Sequence, residues 1–560
     1  MKLLLQAPLL ALSAGCVSAA SISTSSADAA ADAFTLSATL GLPSAPASLI
    51  QRFTTWLGGN AAQVQATYES LGGPVEGSED KSLLEIIKST PDLSFFAKIL
   101  NYSSDSTKEL LDGGKDKLTL LAPLNWHHDD HAGSDIDSTT ASIYGPRSVI
   151  AHWAHLESSV DELSPSSGDD DDEEKRKRRA AIRYLIDLTV RYHLIAPDTG
   201  AAVTAKQIAA KSSVATELVI PASAEKYVGK LLGGAPFRLR SGKSLLPRPG
   251  VYFNFFSRLV QPDVKASGGS ILHAVSLPLL IPPSDFQTVL FGSAYNLGAT
   301  ATALYRTGGA GFFTLPHLKH DDDKSGHTSE FLRILEEKDD DGYKAPALPG
   351  PGEPGITLFA PTNLAWTKVP ARFKFFLLSP FGTRLLAKAF MLHALPINIV
   401  YADAVYQYDS DEDKAAFPIH GKHSVEHKPL PVNVTTYELE SALPKLKHKH
   451  HHDGDADATK GPSREIVTVK VYRYPLVPGG GPLQTRVEVQ GVPVVVQDIP
   501  TANGAVHLID SFIMPKGHEH GKSIAPGQEW ASENLSGVWK EIDEESARLG
   551  FSDDQKHQDL

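Results

Sequence analysis

The apolar and polar positions of this chain fall into short words of different period. Gly355-Ile-Thr-Leu-Phe-Ala-Pro-Thr-Asn-Leu-Ala-Trp366 opens on an apolar run, Ile356 to Ala360, that reads as a short buried strand. Pro361 stops it, because proline has no N–H to give a ladder. Thr362 and Asn363 then offer side-chain oxygens as the N-cap of a short helix from Leu364, interrupted or restarted at Pro370. Upstream, Leu83, Leu84, Ile87 and then Phe95, Phe96, Ile99 and Leu100 recur at helical spacing on either side of Pro91, which predicts two helices. Loose helical spacing also runs over Leu49 to Leu71 and Trp530 to Leu549. Thr468 to Tyr474 and Arg486 to Gln490 alternate as half-buried strands, and β-rich stretches fall around Leu218 to Ile220 and Tyr252 to Phe256. Val492 to Ile499 and Ala505 to Ile509, joined through Thr501-Ala-Asn-Gly504, predict a hairpin on an Asn-Gly turn. Strands, hairpins and helices mixed in this way predict α+β units.

Three of these words occur twice, in the same order. Leu118-Thr-Leu-Leu-Ala-Pro-Leu-Asn-Trp126 nearly repeats the word around Pro361. Leu185 to Pro197, with Tyr192-His193 at its heart, is answered by Leu385 to Pro396 with His393. Gly268-Gly-Ser-Ile-Leu-His-Ala-Val275 is answered by Asn503-Gly-Ala-Val-His-Leu-Ile-Asp510. Collinear words mean a duplicated unit. The longer gap after the first word of the first copy is an insertion.

These words resemble the fasciclin domain, the fasciclin I type of adhesion and matrix proteins. That family has a Thr-x-Phe-Ala-Pro-Thr-Asn-x-Ala-Phe motif, a central Tyr-His, and an Asn-Gly-x-x-His-x-Ile/Val-Asp motif. The second copy matches the first motif from Thr357 to Ala365, with Trp366 for Phe, and the last motif from Asn503 to Asp510, but has Leu392 in place of the Tyr before His393. The first copy keeps Tyr192-His193, with Leu124 for the motif Thr and Ser276 for the final Asp. The resemblance implies two fasciclin-like domains, at 78–283 and 284–516, each a β-sandwich or wedge of strands with helices packed on one side. It implies structural roles for Pro123, Asn125, His273, Pro361, Thr362, Asn363, His393, Asn503, Gly504, His507 and Asp510. It also associates the Tyr192-His193 region with adhesion contacts.

Composition narrows the setting. The net charge of −13 over 560 residues makes nucleic acid an unsuitable partner for the whole chain. Residues 1–20 read as a signal peptide: Lys2, an apolar run from Leu3 to Leu12, then Val17-Ser18-Ala19. A lipobox ending at Cys16 is the alternative, with Ser13 where Leu is usual. Cys16 is the single cysteine, so removal of the signal leaves no disulfide and each domain must stand on its own core. Residues 21–48 form an Ala/Ser/Thr-rich leader, and 517–560 a polar tail without the apolar end a lipid-anchor signal needs. No later stretch holds the apolar run of about 18 residues that a transmembrane helix requires. The expectation is a secreted, extracellular protein, with sequons at Asn101, Asn433 and Asn534. The acidic run Asp169 to Glu174 abuts the basic run Lys175 to Arg179 and reads as a solvated loop entering an exposed helix, with a processing site or polyanion patch as alternatives.

Candidate chemistry is sparse. His273 and His507 sit mid-strand among apolar neighbours, the usual setting of a satisfied core histidine. His193 and His393 lie late in helices, where an imidazolium would meet the carbonyl end favourably. Two histidine clusters, His127, His128 and His131, and His450, His451 and His452, are candidate ligands for zinc, copper or nickel. Lysines interleave the second cluster and repel cations, so a solvated loop is the better reading of both, and a secreted metal-binding protein is the alternative function. Gly350-Pro-Gly-Glu-Pro-Gly355 spells a dinucleotide glycine pattern but precedes a strand instead of following one. No nucleophile elbow, zinc-protease or phosphate-loop motif occurs. The expectation is a non-enzymatic protein without cofactor, whose partners are cell-surface, matrix or wall glycans and proteins.

Overall fold

A computed structural model describes residues 75–76, 79–112, 117–125, 173–197, 200–220, 231–244, 250–291, 296–313, 330–336, 355–403, 421–427, 433–444, 464–477 and 480–514. They fall into two units, divided as Met1–Val219 with Pro236–Ile281, and Ile220–Ala235 with Pro282–Leu560.

In the first unit, helix α1 (Leu83–Ser89) starts in a capping box: Ser82 accepts from the Glu85 N–H, and the Glu85 carboxylate accepts from the Ser82 N–H. A 3₁₀ turn over Pro91–Leu93 leads into α2 (Ser94–Asn101) and α3 (Asp105–Asp112). Strand β1 (Thr119–Pro123) is followed by the long helix α4 (Glu173–His193), which packs on α2, α3 and β1. Among the described residues there follow β2 (Leu194–Ile195), α5 (Ala205–Ala209), β3 (Ser213–Ala215), β4 (Arg238–Ser244), β5 (Gly250–Phe253), β6 (Ser257–Lys265), a 3₁₀ turn over Ser267–Gly269 and β7 (Ile271–Val275). The sheet order is β2-β1-β7-β6-β5-β4-β3.

The second unit opens with α6 (Asp285–Phe291), α7 (Gly298–Arg306) and α8 (Glu330–Glu336). Strand β8 (Ile356–Pro361) leads to α9 (Asn363–Lys368), α10 (Ala371–Leu377) and α11 (Thr383–Leu392). Then come β9 (Ala394–Pro396), β10 (Gly421–His427), β11 (Asn433–Pro444), β12 (Arg464–Val477), β13 (Gly480–Val489), β14 (Val492–Thr501) and β15 (Gly504–Ile509). Its sheet runs β9-β8-β15-β14-β13-β12-β11-β10, which is the order of the first unit with β10 added at the far edge. Both units are α+β.

In each unit the first-motif strand lies parallel to the last strand, β1 beside β7 and β8 beside β15. A strand paired on both sides and covered on both faces has no reason to alternate. β1, β8 and β15 are accordingly buried at every position. The antiparallel strands further out do alternate, as β11 shows.

Two local expectations change. Leu218 to Ile220 is not a strand; the strand is Ser213–Ala215, and Leu218 follows it as irregular chain. Asn503-Gly504 does not form the centre of a two-residue hairpin turn: Thr501 pairs with Gly504, so the central residues are Ala502 and Asn503, both at negative φ. In the second unit, the two-residue turn between Val489 and Val492 has positive φ at both central positions, Gln490 (49°) and Gly491 (83°). Gly504 is needed for another reason. A Cβ there would lie 1.7 Å from the Ile356 carbonyl oxygen, where the two parallel strands begin.

Candidate functional site

The motif residues of the two units form matching clasps. Leu121 lies opposite His273 across the parallel pair of the first unit, and Phe359 opposite His507 in the second. His507 also stacks on Phe359, with ring centroids 5.3 Å apart. Both imidazoles are fully buried. Nδ1 accepts from the backbone N–H of Asp263 at 3.0 Å and of Asp498 at 3.2 Å. That leaves Nε2 as the protonated nitrogen, which donates to the carbonyl of Val203 at 3.0 Å and of Val400 at 2.8 Å. The same two valines donate their N–H to the Thr119 hydroxyl at 2.6 Å and the Thr357 hydroxyl at 2.8 Å.

Each aspartate in this clasp sits where the ladder slips register, at φ 55° for Asp263 and 60° for Asp498. Its carboxylate then accepts from the N–H of Ala205 at 2.9 Å or of Ala402 at 2.8 Å. One histidine and one bulge aspartate thus pin the segment that follows β2 or β9 onto the sheet.

A second histidine closes the other side in the opposite tautomer. His193 ends α4 and His393 caps α11. Nδ1 donates to the carbonyl of Thr189 at 2.8 Å and of Ala389 at 2.6 Å, and Nε2 accepts from the N–H of Leu279 and of Ile513, each at 2.9 Å. The ring ties the helix end to the chain leaving the last strand. Asn125 and Asn363 make a third matched clasp. Their N–H groups donate to Asp92 and Asn296 carbonyls at 2.7 Å, and their side-chain oxygens accept from Phe95 and Ala299 N–H at 3.1 Å.

The copies diverge where their letters do. In the second unit the Thr362 hydroxyl donates to Asp510 at 2.6 Å while capping α9 through the Ala365 N–H at 3.4 Å. In the first, Leu124 has no hydroxyl to give, and the Ser276 hydroxyl instead accepts from the Arg258 N–H at 2.9 Å. Asn503 accepts from the Asp285 N–H at 2.9 Å and donates to the Phe313 carbonyl at 3.3 Å. Pro123 and Pro361 end their strands, and the Pro361 carbonyl accepts from the Thr300 hydroxyl.

Burial dominates the titration of these groups. It lowers His193, His393 and His507 to about 4, only partly offset by their backbone carbonyl partners. His273 is lowered by the same burial, against the Val203 carbonyl and the Asp263 charge. Asp285 is raised well above the carboxylate range, again by burial, although the Thr501 hydroxyl donates to it.

The imidazolium expected at the helix ends of His193 and His393 is therefore corrected. A helix terminus offers about 1 kcal/mol to a cation at an exposed site, and full burial of the ring outweighs it. The surface-contact role implied for Tyr192 and His193 is corrected too, since both are fully buried. Tyr192 donates to the Arg238 carbonyl at 3.2 Å and accepts from the Asn254 amide at 3.0 Å, inside the unit.

Asn101 ends α2 and Asn433 begins β11, both exposed. His127, His128, His131, His450, His451, His452, Asn534, both terminal segments, the Leu49 to Leu71 helix and residues 164–172 of the charge block lie outside the described residues. The basic half of that block, Lys175 to Arg179, falls within the first turns of α4. Asp263 and Asp498 escaped the sequence reading, because a single aspartate at a bulge has no spacing to mark it. Every ring nitrogen of the four clasp histidines is taken by backbone, so the clasps can hold structure but cannot exchange a proton with a ligand. Among the described residues no group of three histidine, cysteine or acidic side chains is placed to hold a metal ion.

The fold and clasps define a duplicated α+β domain closed by a parallel strand pair and two neutral histidines. The family model of the fasciclin domain matches residues 327–515, which span β8 to β15 of the second unit. The first unit repeats that unit's strand order and clasp contacts, so the chain has a tandem fasciclin-type architecture. Among solved structures, a match is described as a domain pair from the insect cell adhesion molecule fasciclin I. It is 10% identical, covers 76% of this chain and 96% of that chain, and has a TM-score of 0.25, so the architecture rests on the strand order and the clasps. No curated protein matches the chain.

Proposed function

We propose that this is a secreted, non-enzymatic protein that associates with cells, extracellular matrix or cell wall through surface contacts of its fasciclin-type units. The observation that carries the reading is the fasciclin match over residues 327–515, in a family of adhesion and matrix proteins. The clasps support it, because the residues most like a catalytic set are committed to backbone partners. The partners are glycans or proteins of the cell surface, matrix or wall, and the exposed Asn101 and Asn433 are where glycans of its own would be attached. Secretion is tested by expressing the full chain and finding it in the medium with residues 1–20 removed. Binding of the untagged protein to intact cells and to isolated wall or matrix fractions tests the rest. Saturable binding is expected; its absence from every fraction would sink the adhesive reading.

A further inference from the structure

The helices after β8 reverse the charge of the chain. Acidic residues outnumber basic ones by 66 to 53 overall, yet between Gly355 and Ala402 there are five cations, Lys368, Arg372, Lys374, Arg384 and Lys388, and no aspartate or glutamate. Arg384 is buried and Lys374 and Lys388 are half-buried, so the surface charge comes chiefly from Lys368, which is exposed; the Lys374 ammonium also reaches the Trp366 carbonyl at 3.3 Å. Asp510, which borders the start of α9, is engaged by the Thr362 hydroxyl.

The same stretch exposes large apolar side chains. Phe375 is 75% exposed, Leu364 53% and Phe381 50%, whereas Phe373 and Leu377 of the same helix are buried. The fold therefore uses one side of α10 and leaves Phe375 in water. Single exposed apolar residues are ordinary. Three between Leu364 and Phe381, in a stretch that also carries lysines and no acid, set this part of the chain apart.

We propose that this stretch of α9, α10 and the turn to α11 is a docking surface for an anionic lipid bilayer. Phe375, Phe381 and Leu364 would settle at the boundary of headgroups and acyl chains, while Lys368 and Lys374 meet anionic headgroups. A sulfated glycan would take up the lysines but leave the phenylalanines in water, and a stretch without acidic residues of its own suits a surface of negative potential. No helix among the described residues is long and apolar enough to cross a membrane, so the contact is peripheral. The proposal stands apart from the adhesive reading and can fail without it.

The test is flotation of the full chain with vesicles of phosphatidylcholine alone and with vesicles that also contain phosphatidylserine. Binding only to the second, weakened by salt, is expected, because surface charge is screened within a Debye length. Phe375→Ser with Phe381→Ser should abolish flotation, and Lys368→Glu should weaken it about fivefold or more. Circular dichroism should show both variants folded, since the replaced side chains are exposed. Three outcomes would overturn the proposal: no flotation with phosphatidylserine, flotation unchanged in the phenylalanine variant, or a dimer in sedimentation that the same variant dissolves, which would give the surface to a second copy.

Discussion

His507 illustrates how much a single buried ring can hold. It satisfies the Asp498 N–H and the Val400 carbonyl, both inside the unit. His507→Ala orphans two buried backbone groups at about 1–3 kcal/mol each, so a loss of roughly 3–5 kcal/mol is expected in urea unfolding. His273→Ala should act in the same direction but more mildly in the first unit, because the Val203 carbonyl keeps the Thr119 hydroxyl as a donor and the Asp263 N–H belongs to an exposed residue. Asn363→Ala is milder, about 1–2 kcal/mol, since it orphans mainly the Ala299 N–H. None of the three should alter an exposed surface, so unchanged stability with lost cell binding would show that a binding residue has been taken for a structural one. These residues were legible in the sequence because each word is written twice, and a repeated histidine in an apolar strand points inward. The charge state of His193 and His393 was not legible. The helix-end argument is local, whereas their burial is decided by Phe96 in one unit and by Phe390 and Phe512 in the other, the rings that lie against them.

At the scale of elements, the Asn503-Gly504 pair shows where a dipeptide signal misleads. It is read from sequence as the turn of a hairpin, and the hairpin is there, but both residues also serve the parallel strand pair. Asn503 holds the start of α6 through the Asp285 N–H, and Gly504 lets β15 approach β8. Gly504→Ala should therefore prevent folding of the second unit, because the clash is with backbone that cannot move without breaking the pair. The turn that does need positive φ carries Gln490, a residue poorly suited to it. Gln490→Asn should raise the unfolding free energy by about 0.5–1 kcal/mol, less the exposed bond that the Gln490 amide makes to the Ile466 carbonyl. A decrease would mean that this bond matters more than the backbone strain. Strands β12 and β13, whose alternation is clear, were legible, as were the hairpin strands β14 and β15 and the break at Pro370 between α9 and α10. The short strand Ser213–Ala215 was not, because three residues carry no period and its place is set by pairing with β4.

Across the whole molecule the clasps combine into a pH response. Above about pH 6.5 the clasp histidines are neutral folded or unfolded and contribute no slope. Below that, the unfolded chain takes up protons that His193, His393 and His507 refuse until about 4. Stability from these rings is therefore complete above pH 6.5, falls as the pH drops from there to about 4, and levels off beneath. Each such shift corresponds to roughly 3 kcal/mol, and His273 moves in the same direction. Asp285 acts with the opposite sign. Its raised value means that acidification relieves a buried carboxylate, so the second unit regains at low pH part of what its two histidines lose. Urea midpoints should accordingly fall between about pH 7 and about pH 4.5, and fall more steeply for contacts reported by the first unit than Asp285 allows in the second. His393→Gln and His507→Gln would flatten the response of the second unit even while lowering its stability, because glutamine carries no titrating proton. A midpoint that is level across this range in the unmodified chain would mean that the rings are reached by water or already charged. The two-tautomer arrangement that closes both units would then be wrong.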